Sequence, residues 1–122
     1  WQPEEVLVSP YLRALQTALA FRHLMPGVEM QTCEFITPDV SLSQLTSELA
    51  TVQSNTQAQR LLLIGHNPLF SSAISWFCGD HLREVMAPAS MASIELPFVE
   101  RGSGRLRWLR HAPDYTVNVR SL

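Results

Sequence analysis

Val6-Leu7-Val8-Ser9-Pro10-Tyr11-Leu12-Arg13-Ala14-Leu15-Gln16-Thr17-Ala18 is the stretch on which the fold turns. With Glu5 before it, Val6-Leu7-Val8 is a short apolar run of strand type, and Ser9-Pro10 reads as a helix start. A serine side chain caps free amides, and the fixed φ of proline suits the first helical position. From Tyr11 to about Met25 the residues Leu12, Leu15, Leu19 and Leu24 recur near helical spacing, with alanines between them, until Pro26-Gly27 closes the segment. A strand leading into a helix is the first half of a parallel crossover.

Downstream the alternation continues. Val28 to Phe35 predicts a second strand, ending near Thr37-Pro38-Asp39, where Asp39 can cap the next helix. Ser41 to Gln53 carries Leu42, Leu45, Leu49 and Val52 at spacings of three, four and three, an amphipathic helix. After the polar segment Ser54 to Gln59, Leu61-Leu62-Leu63-Ile64 is a continuous apolar run, as a fully buried parallel strand requires. It ends in Gly65-His66-Asn67-Pro68. Asn67 can cap and Pro68 can open a helix with the apolar stripe Phe70, Ala73, Ile74 and Phe77, stopping at Gly79. Past a loop around Ala87-Pro88-Ala89, Met91 to Leu96 and Arg105 to Leu109 predict an antiparallel hairpin joined through Gly102-Ser103-Gly104, placed at the sheet edge. The whole reads as a single α/β domain over residues 1–122 with a mostly parallel sheet.

Composition sets outer bounds. The 122 residues are 46% hydrophobic and 16% charged, which is globular rather than disordered. No apolar run approaches the roughly 20 residues of a membrane span. Nine basic against eleven acidic residues leave a net charge of -2, with no sequence-wide attraction to nucleic acid or anionic lipid. All the basic residues are arginine; the absence of lysine has no physical explanation here. Cys33 and Cys78 form no CxxC, and His23, His66, His81 and His111 are dispersed without HExxH spacing, so neither a metal nor another cofactor is expected. Two buried thiols and no secretory leader pattern make the expected location cytoplasmic.

In an open α/β sheet, ligands bind beyond the carboxyl ends of the strands, where helix N-termini present free amides. Two segments fall there: Ser9 to Arg13 and Gly65 to Pro68. Arg13 stands in the first turn of its helix, where the dipole disfavours a cation unless an anion is nearby. Its planar guanidinium suits the oxygens of a phosphoryl group. The plainer reading is a solvated surface arginine. His66 leaves a buried strand through a glycine, so its imidazole can enter the crevice and donate to a phosphoryl oxygen or relay a proton. A structural histidine is its plainer reading, and the pairing with Arg13 favours function.

The segment from Val6 to Ala18 resembles the S-P-x-x-R-A-x-Q-T-A motif of the histidine phosphatase superfamily, whose fold is phosphoglycerate mutase-like and three-layered. Leu62-Leu63-Ile64-Gly65-His66-Asn67-Pro68 is similar to its second motif, a strand followed by G-H-x-P. The compact stretch Glu34 to Pro38 and the hairpin Ala89 to Trp108 are most similar to the SixA-type phosphohistidine phosphatases. The resemblance implies phosphoryl transfer through a phosphohistidine intermediate, with Arg13 and His66 binding the phosphoryl group and catalysing its transfer. It also implies a nucleophilic histidine in an R-H-G motif on a first strand. Arg-His-Gly occurs nowhere in the sequence; Arg22-His23 lies in a predicted helix, and Arg110-His111-Ala112 aligns with an ordinary last strand. The expectation is that the first strand, with its nucleophile, is missing and that these residues alone are inactive. A sheet lacking that strand exposes an apolar edge, to be filled by the missing strand or by another chain.

Three functions follow. The first is a phosphohistidine phosphatase acting on a protein such as a histidine-phosphotransfer domain, in signal transduction. The second is a small-molecule phosphomonoesterase, which would draw a general acid from Glu34 or Asp39 to protonate a departing alkoxide. The third is a catalytically inactive domain that binds phosphate or a partner. The cluster Arg101, Arg105, Arg107 and Arg110 reads as a solvated hairpin face rather than a docking patch, since edge arginines discourage stray pairing.

Overall fold

The computed structural model describes residues 2–56, 59–67, 69–79, 90–110 and 117–119. Two compact units meet in sequence between His66 and Asn67. In the first, strand β1 (Glu5–Val8) lies between β2 (Glu29–Thr32) and β3 (Leu61–Ile64), both parallel to it. The central position explains the sequence of β1. Val6, Leu7 and Val8 are all buried, because a strand flanked on both sides and covered on both faces has no room for a polar side chain. Helix α1 (Leu12–Phe21) covers one face. Its Ala14 and Ala18, one turn apart, join Val6, Val8 and Met25 in a single cluster, edged by Leu15, Phe21, Met30, Leu62 and Ile64. Burying each valine contributes roughly 1.5–3 kcal/mol. At the end of the sheet away from the strand carboxyl termini, Glu4 fastens β1 to β3: its carboxylate accepts from the N–H groups of Gln59 (2.9 Å) and Arg60 (3.2 Å).

Several expectations are corrected. β3, predicted to be fully buried, is half-buried throughout; among the described residues it pairs with β1 alone, so one edge carries no strand. Ser9 does not cap α1. Tyr11 occupies the N-cap with extended backbone and no side-chain bond to the helix. Ser9 belongs to the sheet instead, its N–H donating to the Ile64 carbonyl at 2.9 Å and lengthening the β1–β3 ladder by one residue. After Phe21 the helix tightens into a 3-10 turn, Arg22–Leu24, whose residues are exposed. β2 stops at Thr32 and a second 3-10 turn, Glu34–Ile36, buries Ile36. Ser41, not Asp39, caps helix α2 (Leu42–Asn55), accepting from the Gln44 N–H at 3.1 Å. Asp39 turns back to accept from the Thr37 hydroxyl at 2.6 Å. Along α2 the predicted stripe is present, with Leu45 and Leu49 buried.

The second unit holds helix α3 (Leu69–Cys78) and an antiparallel sheet of β4 (Met91–Glu95), β5 (Arg105–Arg110) and β6 (Val117–Val119), in the order β4-β5-β6. The predicted hairpin is therefore present, in a sheet of its own, and β6 adds a third strand too short to announce itself by alternation. Ala73, Ile74 and Phe77 form the buried stripe of α3 as predicted, with Leu69 in place of Phe70. Gly79, at φ +97°, ends the helix. The hairpin loop then supplies donors to the last carbonyls of α3: Gly102 N–H to Trp76 O at 2.9 Å and Gly104 N–H to Phe77 O at 2.7 Å. The loop Ala87 to Ala89 and residues Pro68, His81 and His111 lie outside the described residues. Among the described residues no helix is long and apolar enough to cross a membrane, and no three His, Cys, Asp or Glu side chains are grouped to hold a metal.

Candidate active site

Parallel pairing of β1 with β3 aligns Val8 with Ile64, so the chains emerge side by side at the carboxyl end of the sheet. That register sets Ser9 against the Gly65-His66 turn. His66 Nε2 lies 2.8 Å from Ser9 Oγ, and the Tyr11 ring meets the imidazole edge-on, with centroids 5.4 Å apart and planes at 64°. Ser9 is completely buried; its Oγ also accepts from the Tyr11 N–H at 3.3 Å. Two residues of the turn after β1 thus hold the histidine that follows β3. Burial lowers the pKa of His66 below 6.5, so the imidazole is neutral at neutral pH.

Arg13 follows Tyr11 by two residues and sits in the first turn of α1. Its side chain is exposed and makes no hydrogen bond or ion pair with the described residues. A cation near the positive end of a helix is disfavoured there unless an anion stands nearby. Arg13 and His66 are thereby placed on the same carboxyl side of the first unit's sheet, while direct contacts join only Ser9, Tyr11 and His66. The roles of Ser9 and Tyr11 were not read from the sequence. The register that brings residue 9 to residue 66 is a long-range property, and a serine before a proline carries a stronger local signal for capping.

The two acidic candidates differ. Glu34 opens the 3-10 turn two residues beyond β2, on the same side of the sheet, and is exposed. Asp39 is held below the usual carboxylate range, first by the Thr37 hydroxyl and then by a backbone N–H, so it holds a proton poorly. Among the arginines of the second unit, Arg105 and Arg107 both donate to Glu95 Oε2, at 3.0 and 2.9 Å, and the Arg110 guanidinium lies 4.3 Å over the Trp108 ring. Their charge is partly answered within the hairpin; Arg105 and Arg107 are exposed, whereas the Nε of Arg110 is buried and makes no hydrogen bond with the described residues. Arg22-His23 stands exposed in its 3-10 turn and joins none of the site residues.

Two solved structures share this architecture. The protein histidine phosphatase SixA complexed with tungstate matches with a TM-score of 0.75 and 24% identity, over 89% of this chain and 69% of that one. SixA from Agrobacterium tumefaciens matches with a TM-score of 0.70 and 20% identity, over 92% of this chain and 69% of the other. The fold is that of SixA. No family model matches the sequence, and no curated protein does. In the SixA fold, the β1–α1 turn and the turn after β3 bring together Ser9, Tyr11 and His66.

Proposed function

We propose that this chain is the phosphoryl-binding part of a phosphohistidine phosphatase, with Arg13 and His66 gripping the phosphoryl group of a phosphorylated protein. The observation that carries the reading is the clamped, neutral His66 at the carboxyl end of a parallel sheet, with Arg13, exposed and without a side-chain bond to the described residues, in the first turn of the helix that follows β1. Arg13 supplies charge and two parallel N–H donors; His66 supplies a directed N–H. Together they favour the spread negative charge of a phosphoryl group in transfer. The SixA of the first matching structure is complexed with tungstate, a tetrahedral oxyanion like phosphate, which supports an oxyanion ligand here.

In the reaction the substrate's P–N bond breaks as an attacking histidine nitrogen bonds to phosphorus. The departing imidazole nitrogen takes up a proton, and water then cleaves the enzyme's own P–N bond to release inorganic phosphate. An imidazole leaves readily once protonated, so no strong general acid is needed. That demand is lighter than for a sugar phosphate, whose departing alkoxide needs a general acid. A second reading, phosphate binding without turnover, has one observation in its favour: Arg-His-Gly occurs nowhere in these 122 residues, so no histidine in them stands in the family's nucleophile motif.

The test incubates the full-length protein with a phosphorylated histidine-phosphotransfer domain and, separately, with sugar phosphates, measuring released phosphate. Turnover of the phosphoprotein is expected, with Arg13→Ala and His66→Ala each lowering kcat/KM about 100- to 1,000-fold, the range for removing one transition-state donor. Undiminished turnover in both variants would overturn the assignment. Phosphate binding with no release from either substrate would establish the second reading.

A further inference from the structure

We infer that Ser9 is a positioning residue that locks His66 in the tautomer with its proton on Nδ1, so that Nδ1–H is the face offered to an incoming anion. The inference rests on the reading of His66 as a phosphoryl ligand for the use of that proton, but the tautomer itself follows from hydrogen-bond accounting.

Ser9 Oγ has one hydrogen to donate and two lone pairs. It is fully buried, accepts from the Tyr11 N–H and lies 2.8 Å from His66 Nε2. If Nε2 carried the proton, Oγ would accept twice and its own hydrogen would need a further acceptor. None is present among the described residues within hydrogen-bond reach. A buried hydroxyl hydrogen left without a partner is costly, so the arrangement that satisfies every group has Oγ–H donating to an unprotonated Nε2. The proton of the neutral ring is then on Nδ1, which makes no hydrogen bond with the described residues.

The Tyr11 ring packs edge-on against the imidazole and restricts its rotation about the Ser9 contact. Protonation of Nε2 would force the unfavourable arrangement, so the same serine opposes the imidazolium form. Ser9 thus makes His66 a one-proton donor of fixed direction and leaves positive charge to Arg13. The sequence reading of Ser9 as a helix cap gives it no part in the site.

The experiment is nitrogen-15 NMR of the histidine side chains in the full-length protein, with His66 assigned by its loss in His66→Gln. A pyridine-type shift at Nε2 and a pyrrole-type shift at Nδ1 are expected. In Ser9→Ala the two forms should mix, and in Ser9→Thr, which keeps the hydroxyl, the Nδ1–H form should return. A pyrrole-type Nε2 in the unmodified protein overturns the inference without recourse to any variant. So does an unchanged shift pattern in a folded Ser9→Ala. Titration with inorganic phosphate separates the two claims. A response at Nδ1 supports the direction assigned to the donor, whereas an intact tautomer with no response refutes the phosphoryl-binding reading and leaves the locking role of Ser9 standing.

Discussion

Replacing Arg13 with glutamine should change stability and ligand response in opposite directions. Glutamine has nearly the helix propensity of arginine, and the Arg13 side chain is exposed without a bond to the described residues, so the substitution removes a charge and little else. Taking a cation away from the first turn of α1 relieves its repulsion by the helix dipole, about 0.3–1 kcal/mol at low ionic strength. Without phosphate, Arg13→Gln should therefore unfold at slightly higher urea than the unmodified protein. With phosphate the order should reverse. Loss of a charge-assisted hydrogen bond of about 1.5–3 kcal/mol weakens binding roughly 10- to 150-fold. At a phosphate concentration about 100 times the dissociation constant, ligand stabilisation is about 2.7 kcal/mol. A binding constant weakened about 30-fold would cut that to about 0.9 kcal/mol. Urea unfolding at matched ionic strength, with phosphate exchanged for chloride, measures both effects. A variant that gains stability yet keeps the full phosphate response shows a solvated arginine. One that loses about 1 kcal/mol or more without phosphate shows a structural arginine. Either result refutes the reasoning.

The lowered pKa of His66 ties stability to pH. The unfolded chain binds the proton first, at its ordinary value of 6.5, so this contribution is complete above that pH and is lost as pH falls from 6.5 through the folded value. Urea midpoints measured from pH 8 downward should decline over that window, and His66→Gln should flatten the part of the slope due to this residue; an unchanged slope counts against a desolvated imidazole. Gly104→Ala probes the second unit. A Cβ there would stand 3.0 Å from the Phe77 carbonyl oxygen and 3.1 Å from Ile94 Cγ2 and Leu96 Cδ1, and the carbonyl is held by the N–H of Gly104 itself. A loss of about 1–3 kcal/mol in thermal or urea unfolding is expected, and a change within about 0.5 kcal/mol, the scale of a neutral surface substitution, would contradict the close approach.

What the sequence made legible was local or periodic. The apolar run Val6-Leu7-Val8, the leucine spacing of α2 and the glycine at the end of α3 announce elements because each signal lies within one turn or one strand. The same logic failed where tertiary pairing outweighed it. Leu61-Leu62-Leu63-Ile64 is as apolar as a central strand, yet β1 takes the centre, since order in a sheet depends on which partners are at hand and not on hydrophobicity alone. Thr37 captured the carboxylate that was predicted to cap α2, and Ser41, two residues on, took its place.

The site shows this division at the scale of single atoms. His66 and Arg13 were legible because imidazole and guanidinium are conspicuous at strand-to-helix turns whatever lies across from them. Ser9 was not, because a hydroxyl beside a proline has an ordinary local use, and its use here depends on the pairing of Val8 with Ile64 some 56 positions along the chain. A shift of one residue in that register would turn every side chain of β3 to the opposite face and separate Ser9 from His66. The sheet register is therefore part of the site: the buried β1 strand and the Glu4 clamp at its far end hold the alignment on which the 2.8 Å contact between Ser9 and His66 depends.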